Sequence, residues 1–146
     1  MIGEEIKQFV GKQKLGFVAT VSEDNKPSLS PKGSLIVWDS KTLAFADIRS
    51  PKTVKNLSSN PNLEVNVVDP LLRKGFRFGG TARIVKDGET FEKILAHYKK
   101  DGIKSDVDTI VLVDVSSVSE IASPLYDLGF SEEEIKSKWK DHLLNM

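Results

Sequence analysis

The stretch LAFADIRSPKTVKNL, residues 43–57, is the most informative part of this chain. Residues 43–48 have the apolar composition of a strand, and Arg49-Ser50 interrupts it. Ser50 is a good N-cap residue, and Pro51 suits the first position of a helix because that position needs no N–H donor. The stretch therefore predicts a strand that turns directly into a helix.

The predicted helix begins with positive charge. Lys52, Thr53 and Lys55 lie in or beside its first turn. The helix dipole already makes that end positive, so cations are unfavourable there unless an anion is present. A phosphate bound to the backbone N–H groups of the first turn resolves the conflict. A solvated junction with its lysines in water fits the motif equally well, and the motif alone does not decide between the two.

Composition sets the broad class of the protein. The 146 residues predict a single domain, 1–146, and the 21 basic and 21 acidic residues leave no net charge to recruit nucleic acid or an anionic membrane. There is no apolar run of membrane-spanning length and no signal-peptide pattern. The chain has no cysteine and only two histidines. We expect a cytoplasmic protein without a metal.

Alternating apolar residues and turn signals predict the secondary structure. The predicted strands are 15–21, 27–38 (broken at 31–33), 42–48, 62–69, 75–86 and 107–115. The predicted helices lie at the N-terminus and at 51–59, 89–100 and 131–144. Short links without βαβ alternation favour a mainly β fold with peripheral helices, a six-stranded antiparallel barrel. Residues from about 123 form a helical tail, whose last helix carries an apolar stripe of Ile135, Trp139 and Leu143.

Three further motifs have a structural and a functional interpretation. Gly79-Gly80 lies inside a strand, so a bulge or bend is expected rather than a dinucleotide site. The kink Pro31-Lys32-Gly33-Ser34 is either an ordinary edge irregularity or a place that offers N–H groups and one charge to a planar heterocycle. His97 is predicted to be a surface residue rather than a metal ligand, because no second histidine is near it in sequence.

Together these features resemble the FMN-binding split-barrel family, which includes pyridoxamine 5′-phosphate oxidase. The resemblance covers roughly residues 5–120. It rests on VATVSEDNKPSLSPKG at 18–33, LAFADIRSPKTVKNLSSNPNLEVNVV at 43–68 and GFRFGGTARIV at 75–85. It implies a Greek-key split β-barrel, FMN as the cofactor, and a homodimer with the cofactor at the subunit interface.

The resemblance also implies site residues, although it identifies no catalytic residue and no metal ligand. Those that match the phosphate cradle are Ser50, Lys52 and Thr53, with Arg49 as an extra cation. Those that match the ring site are Lys32, Gly33 and Ser34 along the isoalloxazine edge and Asp47 and Ile48 beside the ring. Asn56 falls where the family turns a polar side chain toward the cofactor.

The implied activity is that of an FMN-dependent oxidoreductase transferring hydride at flavin N5, with a small-molecule substrate or electron donor that stays unassigned. The vitamin B6 oxidase carries a C-terminal segment rich in arginine and histidine. Residues 123–146 contain His142 and no arginine, so a true pyridoxamine 5′-phosphate oxidase is not expected. The alternatives are a non-catalytic flavin-binding or sensor protein, or a split barrel that uses F420 or haem.

Overall fold

The described part of the chain forms one antiparallel sheet of seven strands with four α-helices around it. The computed structural model describes residues 1–49 and 51–146. In chain order the elements are α1 (Glu4–Gln13), β1 (Gly16–Val21), β2 (Pro27–Lys32), β3 (Ile36–Asp39), β4 (Thr42–Asp47), α2 (Pro51–Ser59), β5 (Asn62–Asp69), β6 (Lys74–Val85), α3 (Glu89–Lys100), β7 (Thr109–Ala122), a 3₁₀ helix (Pro124–Tyr126) and α4 (Glu132–Leu144).

The order of the strands requires the sheet to curve into a barrel. The order is β2-β1-β5-β6-β7-β4-β3, so β2 and β3 lie at opposite edges. Only residues 33–35 connect them, and the four Cα–Cα steps from Lys32 to Ile36 span at most about 15 Å. The edges of a flat seven-stranded sheet would be about 29 Å apart. The edges therefore approach each other without pairing, which is the predicted split β-barrel.

The number of strands differs from the prediction. Residues 27–38 form two strands, β2 and β3, where the sequence predicted one broken strand, so the sheet has seven strands and not six. The break falls at the predicted kink. There β2 stops pairing with β1 at Lys32, and pairing resumes at Ile36 with Ala44 of β4.

The strand β7 is longer than its predicted range of 107–115. Its first part, residues 109–113, is buried as expected, but the strand continues to Ala122. Residues 116–122 are mostly exposed and pair with the first half of β6. Val118 packs against the barrel core, but the other residues of this part show little apolar alternation, so periodicity could not reveal them.

The predicted bend at the glycine pair is confirmed. The register between β6 and β7 shifts between Gly79 and Gly80, where Ser116 of β7 is the extra residue. A side chain at Gly80 would collide with the carbonyl oxygen of Asp114. Glycine is therefore required here by close backbone approach.

Two apolar clusters hold the fold together. The barrel interior contains fully buried residues from β1 and β4–β7 and is closed by Val10 of α1 and by Ile2, which precedes that helix. The second cluster lies outside the barrel wall, where α3 packs through Phe91, Ile94 and Tyr98. Because α3 is anchored in this second cluster, the connector after it runs along the outside of β4.

The tail is anchored on the turn between β5 and β6. The Tyr126 hydroxyl donates to the carbonyl oxygen of Leu72 at 2.6 Å, and the guanidinium of Arg73 stacks over the Trp139 ring at 3.6 Å. The predicted capping box of Ser131 and Glu134 is present. On α4 Ile135 is buried, but Leu143 is exposed, so the predicted apolar stripe reaches only part of the helix.

Candidate functional site

The junction between β4 and α2 has the charge pattern that the sequence suggested. The strand ends at Asp47, one residue before the predicted end at Ile48, and the helix begins at Pro51, as predicted, while Ser50 lies outside the described residues. The first turn of α2 contains no acidic residue, and Lys52 and Lys55 are exposed. This helix start thus adds side-chain positive charge to an end that the dipole already makes positive.

Buried polar groups fix α2 against the barrel. The Asn56 side-chain amide donates to the Thr20 hydroxyl of β1 at 3.0 Å, and both residues are buried. Thr53, one turn earlier, is also buried. A buried hydrogen bond of this kind is costly to break, so it ties the second turn of α2 to β1.

The link between β2 and β3 is held from two sides. The Ser34 hydroxyl accepts from the Ala46 N–H at 2.9 Å and donates to the Ala46 carbonyl oxygen at 3.3 Å. On the other side, the Tyr98 hydroxyl of α3 donates to the Ser34 carbonyl oxygen at 2.9 Å. Burial raises the pKa of Tyr98, so the hydroxyl keeps its proton and remains a donor. These hydrogen bonds hold the link at Ser34 in place, although residues 33–35 do not pair with a neighbouring strand.

A cleft of about 420 Å³ opens beside this link. The link forms one wall, the end of β4 forms another, and the connector after α3 forms the third. Its lining residues are Pro31, Lys32, Gly33, Ser34, Ala46, Ile48, Arg49, Ile103, Lys104 and Ser105. The wall at 103–105 was not predicted, because the sequence showed only a polar connector there and gave no sign of where it folds.

Lys32 is buried in the wall of the cleft. Only 5% of the residue is exposed, and its Nζ lies 5.8 Å from the centre of the Phe45 ring. Burial lowers the pKa of Lys32, and the negative charge of Asp47 partly offsets this effect. The ammonium is therefore a fixed interior charge beneath the cleft, whereas Arg49 and Lys104 are exposed cations at its mouth.

A second cavity, of about 480 Å³, runs along one side of α2 from Pro51 at its start to Ser59 at its end. We call it the α2 cavity. Lys52, Lys55 and Asn56 line it on one side, and Ser22 to Asp24 of the β1–β2 turn line it on the other. The Ser22 hydroxyl donates to Asp24 at 2.6 Å, and this bond, with a smaller effect of the Lys52 charge, lowers the pKa of Asp24. An anion in this cavity would meet Lys52 and Lys55 on the α2 side and the carboxylates of Glu23 and Asp24 on the other side.

The structure brings most of the predicted site residues together in these two cavities. Lys32, Gly33, Ser34, Ile48 and Arg49 line the cleft, and Lys52 and Asn56 line the α2 cavity. Thr53 is buried in α2, and Asp47 is partly buried at the end of β4. The two cavities flank the β4–α2 junction, so the arrangement suits a long ligand with a planar end and an anionic end.

Other candidate groups lie elsewhere. His97 is partly exposed on α3, 3.3 Å from Asp101, and its ring contacts Trp38 edge to face. In the part of the chain that the structure describes, no group of three or more His, Asp or Glu residues is placed to hold a metal ion. Over the same residues, no helix is long and apolar enough to cross a membrane.

The family model for pyridoxamine 5′-phosphate oxidase matches residues 2–121. The chain belongs to the pyridoxamine 5′-phosphate oxidase family. The match includes the cleft and the α2 cavity and ends where the tail begins. Among curated proteins, none matches the chain.

Solved structures of several proteins share the fold of this family member. HupZ from Group A Streptococcus is 29% identical, with a TM-score of 0.76 over 84% of this chain and 96% of that one. An FMN-binding protein from Syntrophomonas wolfei is 14% identical, with a TM-score of 0.70 over 82% of this chain and 86% of that one. An F420 reductase is 22% identical, with a TM-score of 0.61 over 81% of this chain and 98% of that one.

Proposed function

We propose that this protein binds FMN across the β4–α2 junction and acts as a flavin-dependent oxidoreductase. Two neighbouring observations carry the proposal. The first turn of α2 has exposed lysines and no acidic residue. Beside it lies a cleft with one wall formed by residues 33–35, whose backbone pairs with no neighbouring strand. Membership of the pyridoxamine 5′-phosphate oxidase family supports it.

The phosphate would lie at the N-terminus of α2. Backbone N–H groups of a first helical turn have no partners within the helix and bind phosphate readily. Lys52 and Lys55 add charge-assisted contacts there. The bond between Asn56 and Thr20 holds the second turn of α2 on β1, so Asn56 acts as a positioning residue for the helix.

The isoalloxazine ring would lie in the cleft. Residues 32–34 offer a backbone edge to the ring, and Ile48, which is 40% exposed, offers an apolar contact. Bound FMN would supply hydride transfer at N5. The protein's part is to position the ring, exclude water and hold positive charge near it through Lys32, Arg49 and Lys104.

A homodimer would complete the site. Cross-strand pairs place Phe17 opposite Pro31 and Ala19 opposite Leu29, so these four side chains share one face of the β1–β2 hairpin. Leu29 is 68% exposed and Phe17 38%. An apolar sheet face of this kind is typical of an interface with a second copy, and it adjoins the cleft at Pro31.

Vitamin B6 oxidation is not part of the proposal, because the tail has no arginine. A non-catalytic flavin-binding protein would use the same two cavities. The F420 alternative would need cations for an acidic tail, and the candidates are Arg49 and Lys104 at the cleft and Lys52 and Lys55 at the α2 cavity. Haem would require an axial histidine. His97 contributes to a different cavity from the cleft, although the two share Gly33, Ser34 and Ile103.

The visible spectrum of the purified protein separates these cofactors. We expect flavin bands, either as isolated or after adding FMN, and tighter binding of FMN than of F420 in an equilibrium titration. A Soret band after purification, or saturable F420 binding without FMN binding, would contradict the proposal. Reduction of the bound flavin by NADH or NADPH, followed by turnover with a small acceptor, distinguishes the oxidoreductase from a flavin-binding protein.

A further inference from the structure

A third cavity, unrelated to the proposed flavin site, lies between α1 and the ends of β6 and β7. Its volume is about 330 Å³, and it shares no lining residue with the cleft or the α2 cavity. We call it the α1 pocket and define it by Glu5, Phe9, Lys12, Lys74, Phe76 and Glu120. A volume at the low end of ligand pockets fits a small molecule.

The centre of the α1 pocket is aromatic. Phe9 of α1 meets Phe76 of β6 edge to face, with ring centres 5.2 Å apart. Both side chains are only partly buried and pack on the barrel core. They offer an apolar surface that a ligand with an aromatic or aliphatic body would cover.

Each wall of the α1 pocket carries one acid and one base. On the helix wall, Glu5, Phe9 and Lys12 lie at positions i, i+4 and i+7, which is one face of α1. On the sheet wall, Glu120 is directly opposite Phe76, and Lys74 is two residues before it, so both charges point to the same side as Phe76.

The charges of the sheet wall lie on the face of β6 that is otherwise apolar. Further along β6 the same face holds Phe78, which is fully buried in the barrel core. Lys74 already binds Glu132 of the tail, whereas Glu5, Lys12 and Glu120 form no ion pair among the described residues. The bond to Glu132, with a smaller effect of the Glu120 charge, raises the pKa of Lys74. Glu5, Lys12 and Glu120 are exposed, so two acids and two bases stand at the edge of an apolar surface.

We propose that the α1 pocket binds a small zwitterion with an apolar body, of the aromatic amino acid class. Lys12 would hold the carboxylate, the glutamates Glu5 and Glu120 would hold the ammonium, and the side chain of the ligand would lie on Phe9 and Phe76. A ligand with a single charge would leave one set of these groups without a partner.

Calorimetric titration of the full-length protein with four probes tests the proposal. The probes are L-phenylalanine, 3-phenylpropionate (no ammonium), phenethylamine (no carboxylate) and glycine (no apolar body). We expect L-phenylalanine to bind at least tenfold more tightly than each of the other three, with or without FMN present. No detectable binding of L-phenylalanine, or equal binding of 3-phenylpropionate, would overturn the proposal.

Glu120→Gln locates the site. It removes one charge with little change in shape and should weaken L-phenylalanine binding at least tenfold, while 3-phenylpropionate binding stays unchanged. Glu92→Gln, on the exposed face of α3, is the matched control and should bind like the parent protein. Unchanged L-phenylalanine affinity in Glu120→Gln, with an unchanged melting temperature, would also overturn the proposal.

Discussion

The Tyr98 hydroxyl donates a buried hydrogen bond of 2.9 Å to the carbonyl oxygen of Ser34. This bond joins α3 to the link between the two sheet edges, at a point where the backbone has no ladder partner. It therefore connects a helix outside the barrel to the wall of the proposed flavin cleft. Residues on either side of the bond should affect both stability and binding.

Tyr98→Phe should lower the free energy of unfolding by about 1–2 kcal/mol, because the Ser34 carbonyl loses its buried donor. It should also weaken FMN binding, since the cleft wall becomes less ordered. Urea unfolding and FMN titration measure the two effects. Tyr126→Phe is the control: it removes the bond to Leu72 in the tail and should reduce stability without changing FMN affinity. Equal FMN affinity in Tyr98→Phe and the parent would contradict this role.

Lys32→Met should raise the free energy of unfolding and weaken FMN binding. Burial lowers the pKa of Lys32 below its ordinary 10.5, so keeping the ammonium charged destabilises the fold. We expect the variant to gain about 1 kcal/mol at neutral pH. Thermal unfolding measures the gain, and Lys100→Met, at an exposed position, is the control.

The pH dependence of the unfolding free energy tests whether the Lys32 ammonium destabilises the fold. The folded pKa lies below the unfolded one, so between them the unfolded chain binds more protons and stability rises with pH. The difference between the parent and Lys32→Met should therefore shrink as pH approaches 10.5. A variant that is less stable at every pH would show that the interior ammonium stabilises the fold.

Light scattering should give about twice the chain mass of 16.2 kDa. Leu29→Glu should produce a monomer with weakened FMN binding, because it places a charge in the apolar face of the β1–β2 hairpin. Leu128→Glu changes an equally exposed leucine in the tail and should leave the dimer intact. A parent protein that is monomeric and still binds FMN tightly would contradict a shared site.

Deleting residues 123–146 should lower the melting temperature and leave the fluorescence and reactivity of bound flavin unchanged. The tail packs on its own β5–β6 turn through Tyr126 and Trp139, with Lys74 bound to Glu132. If the deletion does not fold, Trp139→Ala provides the same comparison. A change in bound-flavin fluorescence or reactivity, without a matching loss of stability, would instead indicate that the tail covers the flavin of a partner subunit.

Much of the fold could be predicted from local signals. The strand–helix junction at 47–51, the helix α3 and the bend at Gly79-Gly80 each depend on a few neighbouring residues, and the sequence shows them directly. The division of 27–38 into two strands could not be predicted. A kink shows that pairing is interrupted, but only the closure of the barrel shows that the chain passes from one edge to the other.

The candidate site was predictable only where it is made of adjacent residues. Lys32 to Ser34 and Ile48-Arg49 belong to two short motifs, and both line the cleft, while Lys52 lines the α2 cavity. Lys104 and Ser105 were missed, because a polar connector has no periodic pattern that places it. The burial of Lys32 was also missed. Its ammonium lies near the Phe45 ring and the Asp47 charge, and both of these residues belong to another strand, β4.

The central claim is that α2 holds the phosphate of FMN, and comparing FMN with riboflavin tests it most directly. Riboflavin has the same ring and no phosphate, so only FMN should depend on Lys52. We expect Lys52→Ala to weaken FMN binding by roughly 1.5–3 kcal/mol, about ten- to a hundredfold, and to leave riboflavin affinity unchanged. Lys100→Ala is the control. Equal FMN affinity in Lys52→Ala and the parent, or equal losses for FMN and riboflavin, would contradict the phosphate site.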